Sequence, residues 1–523
     1  MSEEKTIARA TGVVGTATLL SRILGYLRDM VIAYFFGAGM ATDAFFVAFR
    51  IPNTLRRLFG EGSLTVSFIP VFSEYLHHRG EKDWEDLVNV AFTLLSVVLV
   101  GLSVAGMLFS PSLIRILAPG FVDPDQFRLA VLMTRLVFPY LFFIGLVALC
   151  MGVLNSLGHF AAPALAPALL NISMIGCAFL LFRRFNPPIL ALAVGVLVGG
   201  AAQLVFQIPF LVAKGIHFRP NFRFGSNPGI RRIGTLMVPA VLGTAVAQIN
   251  VFVSQILASF LIKGSISFLY YAYRLIEFPL GIFVVALGTA ALPSFSRLVV
   301  QDRLGEFADT IGFGLRMVFF LTIPASVGLI LLRVPIVGLL FQRGEFDFRA
   351  TILTSEALLY YALGLWAIAG VRIVAPAFFA LQDMRSPVRV AVLALISNIV
   401  FGLILMVPLK HSGLALANSL SAVLNFLVLV VFLTKRVGNI EWTRVLKSLG
   451  KVSVASTAMG GVVYGMSLFG RWGSPGAGLF NATVLGLSVL AGIFVFLSVS
   501  VLVKAEETAF LISMIRERFK GKG

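Results

Sequence analysis

The sequence predicts an all-α protein that crosses a membrane many times, and three observations carry that expectation. Of its 523 residues, 58% are hydrophobic and only 13% are charged. The mean hydropathy is +0.95. The apolar residues fall into about fourteen runs near the ~20 residues that an α-helix needs to cross a bilayer. A soluble chain of this length has no use for so much apolar surface and splits into domains instead.

The runs start near residues 13, 39, 88, 128, 161, 189, 229, 267, 309, 351, 387, 412, 446 and 477. The second, from near Gly39 to Tyr75, is too long for one straight crossing, and Pro52, Gly60, Gly62 and Pro70 offer places to bend it. An even count puts both termini on one side, and Lys and Arg decide which. One set of ends carries Lys214, Arg219, Arg223, Arg231 and Arg232, then Lys435, Arg436, Arg444, Lys447 and Lys451, then Lys504, Arg516, Arg518, Lys520 and Lys522. On the opposite side the stretch Ala118 to Gln126 holds Asp123 and Asp125 but no Lys or Arg. Both termini are therefore expected in the cytoplasm. The formal net charge of +18 follows the loops between apolar runs, and no basic patch interleaved with exposed aromatics appears, which argues against nucleic acid. Cys150 and Cys177 both sit in apolar runs, as buried packing residues do. The first ten residues are polar and mixed in charge, and Arg22 breaks the apolar run that follows, so that run is expected to stay as a helix.

Pieces of the first half return in order at an offset of about 224 residues, the mark of a duplicated unit. AFFVAFR ending at Arg50 resembles FLYYAYR ending at Arg274, and GTA at Gly15–Ala17 resembles GTA at Gly243–Ala245. PVFSE from Pro70 resembles PSFSR from Pro293, and LGHFAAP ending at Pro163 resembles LQDMRSP ending at Pro387. The unit is six helices, so both copies enter the membrane in one direction. That predicts two six-helix lobes (1–223 and 224–436) related by a pseudo-twofold axis along the membrane normal, with the cargo site between them. Residues 437–523 add two C-terminal helices and a cytoplasmic tail.

Charged residues interrupt the apolar runs. An ionised side chain at mid-membrane costs roughly 2.5–3.5 kcal/mol on insertion scales, so it normally faces a wet cavity or a charged partner. Asp43, Arg50 and Arg57 are spaced by seven and return to one helix face, which Glu61 joins. Arg22 and Asp29 share a face of the first span, while Arg28 points about 100° away from Asp29. Arg274 and Glu277 recur in the eighth span. The excess is cationic, and arginine binds phosphate oxygens bidentately while staying protonated when desolvated. Arginines converging from spans 1, 2 and 8 would grip a diphosphate. The alternative is that Arg57–Glu61 and Arg274–Glu277 are structural pairs, and that Arg50 reaches the membrane surface from a helix end. Arg28 and Arg56 lack a same-face acid and favour the ligand role. Arg135, Arg316 and Arg372 are lone charges in later spans. No HExxH, Walker A, GxSxG or Asp-rich metal motif occurs, so no enzyme chemistry is expected.

SRILGYLRD (Ser21–Asp29), FFGAGMATDAFFVAFRIPNTLRRLFGEG (Phe35–Gly62), NISMIG (Asn171–Gly176) and YYAYRLIEFPLG (Tyr270–Gly281) closely resemble the MurJ/MviN family of lipid II flippases. The resemblance runs through essentially the whole chain. It implies a bacterial inner-membrane transporter of the multidrug/oligosaccharidyl-lipid/polysaccharide exporter superfamily. Its cargo would be lipid II, the undecaprenyl-diphosphate-linked peptidoglycan precursor. It also implies substrate-binding arginines at Arg22, Arg28, Arg56 and Arg274, matched acids at Asp29 and Asp43, and a groove for the polyprenyl tail at spans 13 and 14. Glu61 and Glu277 complete the expected ion-pairing acids, and Arg50 and Arg57 are secondary cavity cations.

The chain departs from the family pattern at Tyr273, where many relatives carry an acid. It also departs in spans 7 and 11, where Gln248, Asn250, Gln255 and Asn398 stand without a carboxylate for a sodium site. Coupling to a monovalent ion and coupling to membrane potential both stay open, and no cofactor is expected. Expected partners are lipid II, membrane lipids and cell-wall synthesis proteins, with the chain itself a monomer. Two rival readings stand beside the flippase. A cation-coupled exporter of the same superfamily would want excess carboxylates in its cavity. A membrane scaffold would tolerate loss of the arginines.

Overall fold

The computed structural model describes residues 3–56, 64–225, 227–438, 440–473 and 478–520, and among them the regular structure is entirely helical. The first copy of the duplicated unit contains α1 (Glu3–Phe36), α2 (Met40–Arg56), α3 (Leu64–His78), α4 (Glu81–Leu108), α5 (Ser110–Leu117), α6 (Pro124–Val137), α7 (Tyr140–Ser156), α8 (Ala161–Leu181) and α9 (Leu190–Val212). The second contains α10 (Pro228–Ser259), α11 (Ser265–Pro279), a π-helical turn (Leu280–Val284), α12 (Val285–Val300), α13 (Leu304–Leu331), α14 (Arg333–Phe341), α15 (Phe348–Leu363), α16 (Leu365–Ala380) and α17 (Arg385–Val437). α18 (Trp442–Ser467), α19 (Gly478–Leu502) and α20 (Glu506–Lys520) follow without counterparts.

The offset read from the sequence reappears in the helix boundaries. α6 and α15 start at equivalent positions, as do α8 and α17. Even the caps repeat: Asp123 accepts the Asp125 N–H at the start of α6, and its equivalent Asp347 accepts the Ala350 N–H at the start of α15. The turn between α8 and α9 corresponds to a break inside α17, where Lys410 leaves the helical region (φ 51°, ψ −131°). There the chain folds back so tightly that a Cβ on Gly413 would stand 2.1 Å from the Leu405 carbonyl oxygen.

Among the described residues seven helices are long and apolar enough to cross a membrane, and the bent pair α15–α16 makes an eighth. Fewer helices meet that condition than the fourteen runs counted in the sequence, for physical reasons. α17 holds two runs in one helix, α1 carries Arg22, Arg28 and Asp29, and the long second run is divided between α2 and α3. This is a multi-pass membrane protein.

The chain forms two compact units, Met1–Ser267 with Arg343–Phe346, and Phe268–Gln342 with Asp347–Gly523. The lobe boundaries expected from the duplication describe ancestry, which compactness does not test. In the first unit the core gathers Phe68, Phe72, Tyr75, Trp84, Leu87, Cys150 and Leu154. α8 and α9 approach closely because α9 offers glycines: Cβ atoms on Gly195 and Gly199 would each lie 2.9 Å from a Cα of α8. In the second unit Phe320 of α13 packs with Val452, Met459, Leu485 and Phe496, which joins the added pair α18–α19 to the duplicated helices.

α20 is fastened by charge. Arg316, buried in α13, bonds Glu506 at 2.5 Å and lies 3.5 Å from Glu507. Arg444 of α18 bonds Glu506 at 2.8 Å, and the Ser448 hydroxyl donates to Glu507 at 2.9 Å. Hydrogen bonds from Arg444 and then Arg316 hold the Glu506 carboxyl below its ordinary value of 4.5. A depressed carboxylate contributes stability above its ordinary pKa and loses it as pH falls through the depressed value. A spin label at the exposed Ser513 is therefore expected to be immobile at neutral pH and mobile well below pH 4.5. Glu506→Gln/Glu507→Gln should make it mobile at both.

Candidate functional site

Charge inside apolar helices must be matched, and the first unit matches it in two ways. On α1, Arg28 curls back onto Asp29: Nε and Nη2 donate to one carboxylate oxygen at 3.0 and 2.7 Å. Its Nη1 donates to Asn171 Oδ1 on α8 at 3.2 Å, and the Asn171 amide donates to the Ser21 carbonyl at 3.1 Å. Phe35 packs edge-on against Phe179 of α8 at 5.0 Å, so the same two helices are also joined by rings. This corrects the expectation that Arg28 lacks an acid. The two side chains leave the helix about 100° apart, yet the arginine stem is long enough to close that angle. Asp29 is fully buried and Arg28 is 11% exposed at its side chain, so each holds the other in place.

On α2, Asp43 was expected to neutralise the arginines of its own stripe. It does something else. Its carboxylate accepts the Gly264 and Ser267 backbone N–H groups at 2.6 and 2.8 Å and the Ser267 hydroxyl at 2.6 Å. Those donors open α11, where the first N–H groups have no intrahelical partner and carry the positive end of the helix dipole. That set of donors matches a buried carboxylate without an ion pair. Asp43 and Ser267 are 224 residues apart, which makes them equivalent positions in the two copies.

Arg50 and Arg56 are half-buried on α2, and Arg56 Nε donates to Asn53 one turn back at 3.1 Å. Arg22 is exposed on α1. Arg57 and Glu61 lie outside the described residues. In the second unit Arg274 Nη1 bonds Glu277 Oε2 at 2.7 Å, one helical turn away, with the two side chains 26% and 36% exposed. The π-helical turn begins three residues later, and such turns widen a helix locally.

The lone arginines sort themselves. Arg135 donates to the Ser110 hydroxyl at 3.1 Å, and Arg316 holds α20. Arg372 on α16 is exposed and has no side-chain partner among the described residues. Sequence reasoning passed over the individual roles of Asn171, Ser267, Glu506 and Glu507. The NISMIG motif pointed to the first. Nothing in spacing points to the others, whose partners come from distant segments. Among the described residues no group of three or more His, Cys, Asp or Glu could hold a metal ion.

A duplicated, wholly helical membrane bundle with charge held inside its spans defines a class. The fold is that of the MOP superfamily of transporters. A structure titled an inward-facing multidrug resistance MATE family transporter of that superfamily superposes with a TM-score of 0.68 over 82% of this chain and 99% of its own, at 14% identity, a likeness of fold alone. The chain belongs to the lipid II flippase MurJ family, whose model matches residues 32–482. A Vibrio cholerae serotype O1 relative named "Probable lipid II flippase MurJ" is 38% identical over 96% of this chain and 97% of its own length. The Burkholderia cenocepacia "Lipid II flippase MurJ" is 40% identical over 82% of this chain and 84% of its own. A solved structure, "Lipid II flippase MurJ, inward closed conformation", superposes with a TM-score of 0.77 at 26% identity, covering 96% of this chain and 99% of that one.

Removing one member of a buried charge pair costs about 3–5 kcal/mol, because the other loses its counter-charge. Arg28→Ala is expected to lower the thermal midpoint in detergent by that order. Arg28→Ala/Asp29→Ala should recover most of the stability. If the guanidinium also binds cargo, the double variant stays inactive in transport although it is stable.

Proposed function

We propose that this protein carries lipid II, the polyprenyl-diphosphate-linked peptidoglycan precursor, from the cytoplasmic to the periplasmic leaflet of the bacterial inner membrane. The observation that carries the proposal is the surplus of arginine inside helices that also belong to a lipid II flippase family. Arginine keeps its charge when desolvated and presents paired N–H donors to phosphate oxygens. The diphosphate is the one part of such a lipid that is anionic and common to every copy of the cargo.

In this reading Arg22, Arg28, Arg56 and Arg274 receive the diphosphate, with Arg50 and Arg57 as further cations of the same path. Asp29, Glu61 and Glu277 hold guanidinium groups in place between cargoes. The two copies of the six-helix unit act as lobes that expose a cationic cavity first inward and then outward, while the polyprenyl tail stays in lipid along α18 and α19. The π-helical turn and Pro279 beside Arg274 are where the eighth span would bend. The work is transport and no bond is made or broken. The Lys and Arg of the loops support cytoplasmic termini, and the duplication supplies both lobes, so a monomer suffices. The driving force is a monovalent cation or the membrane potential acting on the anionic cargo. A cation-coupled exporter of cationic drugs fits less well, because its cavity would need carboxylates in excess.

Depleting the protein in its host is expected to collapse the amount of lipid II reachable from the outer leaflet. Wild type should restore it, and Arg274→Ala made at the same level should restore less than about a tenth, the scale of a lost charge-assisted contact. Arg274→Ala/Glu277→Ala separates the two roles of that pair. Recovery of transport in the double variant would mean that Arg274 only balances Glu277. Persistent lipid II exposure after depletion, with no other flippase present, would end the transport reading.

A further inference from the structure

The connections that follow α5 and α14 are counterparts in the duplication, with Gly120 matching Gly344 and Asp123 matching Asp347. Each packs on the end of the other copy's first helix. In the first connection the Gly120 N–H donates to Ser259 Oγ on α10 at 3.0 Å, and a Cβ on Gly120 would stand 2.2 Å from the Ser259 carbonyl oxygen. In the second the Glu345 N–H donates to the Tyr34 carbonyl of α1 at 2.9 Å, and a Cβ on Gly344 would stand 2.2 Å from that same oxygen. The chain leaves the second unit after Gln342, contributes Arg343–Phe346 to the first, and returns at Asp347. Phe346, 1% exposed, anchors the excursion.

The two contacts share a construction. A glycine lets one backbone lie flush on another, and very few hydrogen bonds fix it there. They differ in charge. Lys263 bonds Asp123 at 2.5 Å beside the first contact, and the position equivalent to Lys263 is Gly39, so the second contact has no such bridge. Hydrogen bonds from Lys263 and then the Asp125 N–H hold the Asp123 carboxyl below its ordinary value. Asp43, Gly120, Asp123, Gln126 and Lys263 line a cavity of about 120 Å³ at the first contact, so this side is not fully packed.

We propose that the two connections are the arms of a reciprocal clasp that closes the outer end of the transporter and must part each time that end opens. The inference rests on the alternating-access reading above. Lobes that separate at this end draw each loop away from a helix end belonging to the other copy. Flush backbone contact with few hydrogen bonds suits a junction that is closed and reopened in every cycle. A buried side-chain cluster would resist that.

The test places cysteines at Tyr34 and Glu345, both exposed, in a Cys150→Ala/Cys177→Ala background. The purified protein is reconstituted in liposomes with a fluorescent polyprenyl-diphosphate lipid as probe. Bridging the pair with a short bis-methanethiosulfonate should cut probe flipping about ten-fold or more, as expected when one of two required states is removed. Reductant should restore it. The bridged protein flipping at the unbridged rate would overturn the clasp. Spin labels on the same pair give a readout independent of transport: the clasp requires a second, longer distance when probe is added. One short distance throughout would overturn the clasp even if the probe is flipped. Two distances in a protein that flips no probe would support the clasp and sink the flippase reading. Asp123→Cys/Lys263→Cys repeats the measurement on the other arm.

Discussion

A carboxylate inside an apolar helix bundle has to be surrounded by donors, and that constraint organises the first unit. Asp29 and Asp43 are both buried, and each is satisfied by a different kind of donor. Asp29 takes a guanidinium from the next residue in its own helix, and Asn171 steadies that guanidinium from α8. Asp43 takes backbone N–H groups and a hydroxyl from the opening turn of α11. The first arrangement fixes an arginine at a chosen depth. The second fixes the start of a helix. Without these two sets of bonds neither charge could remain in its helix at a tolerable cost.

The duplication extends the same logic. Asp43 and Ser267 occupy one position in two copies of one unit, and the copies have diverged so that one is acceptor and the other donor. The loop glycines Gly120 and Gly344 kept a common role, while Lys263 and Gly39 parted. Divergence of this kind turns an internally symmetric scaffold into one whose two halves respond differently to load. The added helices α18–α20 then depend on Arg316 and Arg444, which bring the cytoplasmic tail against the second copy.

Much of this was legible in the sequence. The apolar runs, the repeat offset and the arginine surplus are written in single letters at fixed spacings, and the helix starts of α6 and α15 or α8 and α17 reproduce them. What was not legible lies in donors and partners without a letter code. Backbone N–H groups satisfy Asp43, and no pattern of side chains announces them. Spacing put Arg28 away from Asp29 because a helical wheel ignores the reach of a long side chain. The partners of Arg316 come from α20, far along the chain, and periodicity says nothing about such pairings. The division of the second run into α2 and α3 was foreshadowed by its prolines and glycines, although composition alone does not say which of them breaks the helix.

The central claim is that these arginines exist for an anionic diphosphate, and purified protein can test it directly. Two fluorescent lipids with the same polyprenyl chain and the same sugar headgroup, one joined through a diphosphate and one through an uncharged linker, would be reconstituted with the protein in liposomes. Their movement between leaflets would then be compared. The account predicts rapid flipping of the diphosphate lipid and little movement of the neutral one. Equal flipping of both would contradict it, because a path indifferent to the diphosphate has no need of the arginines.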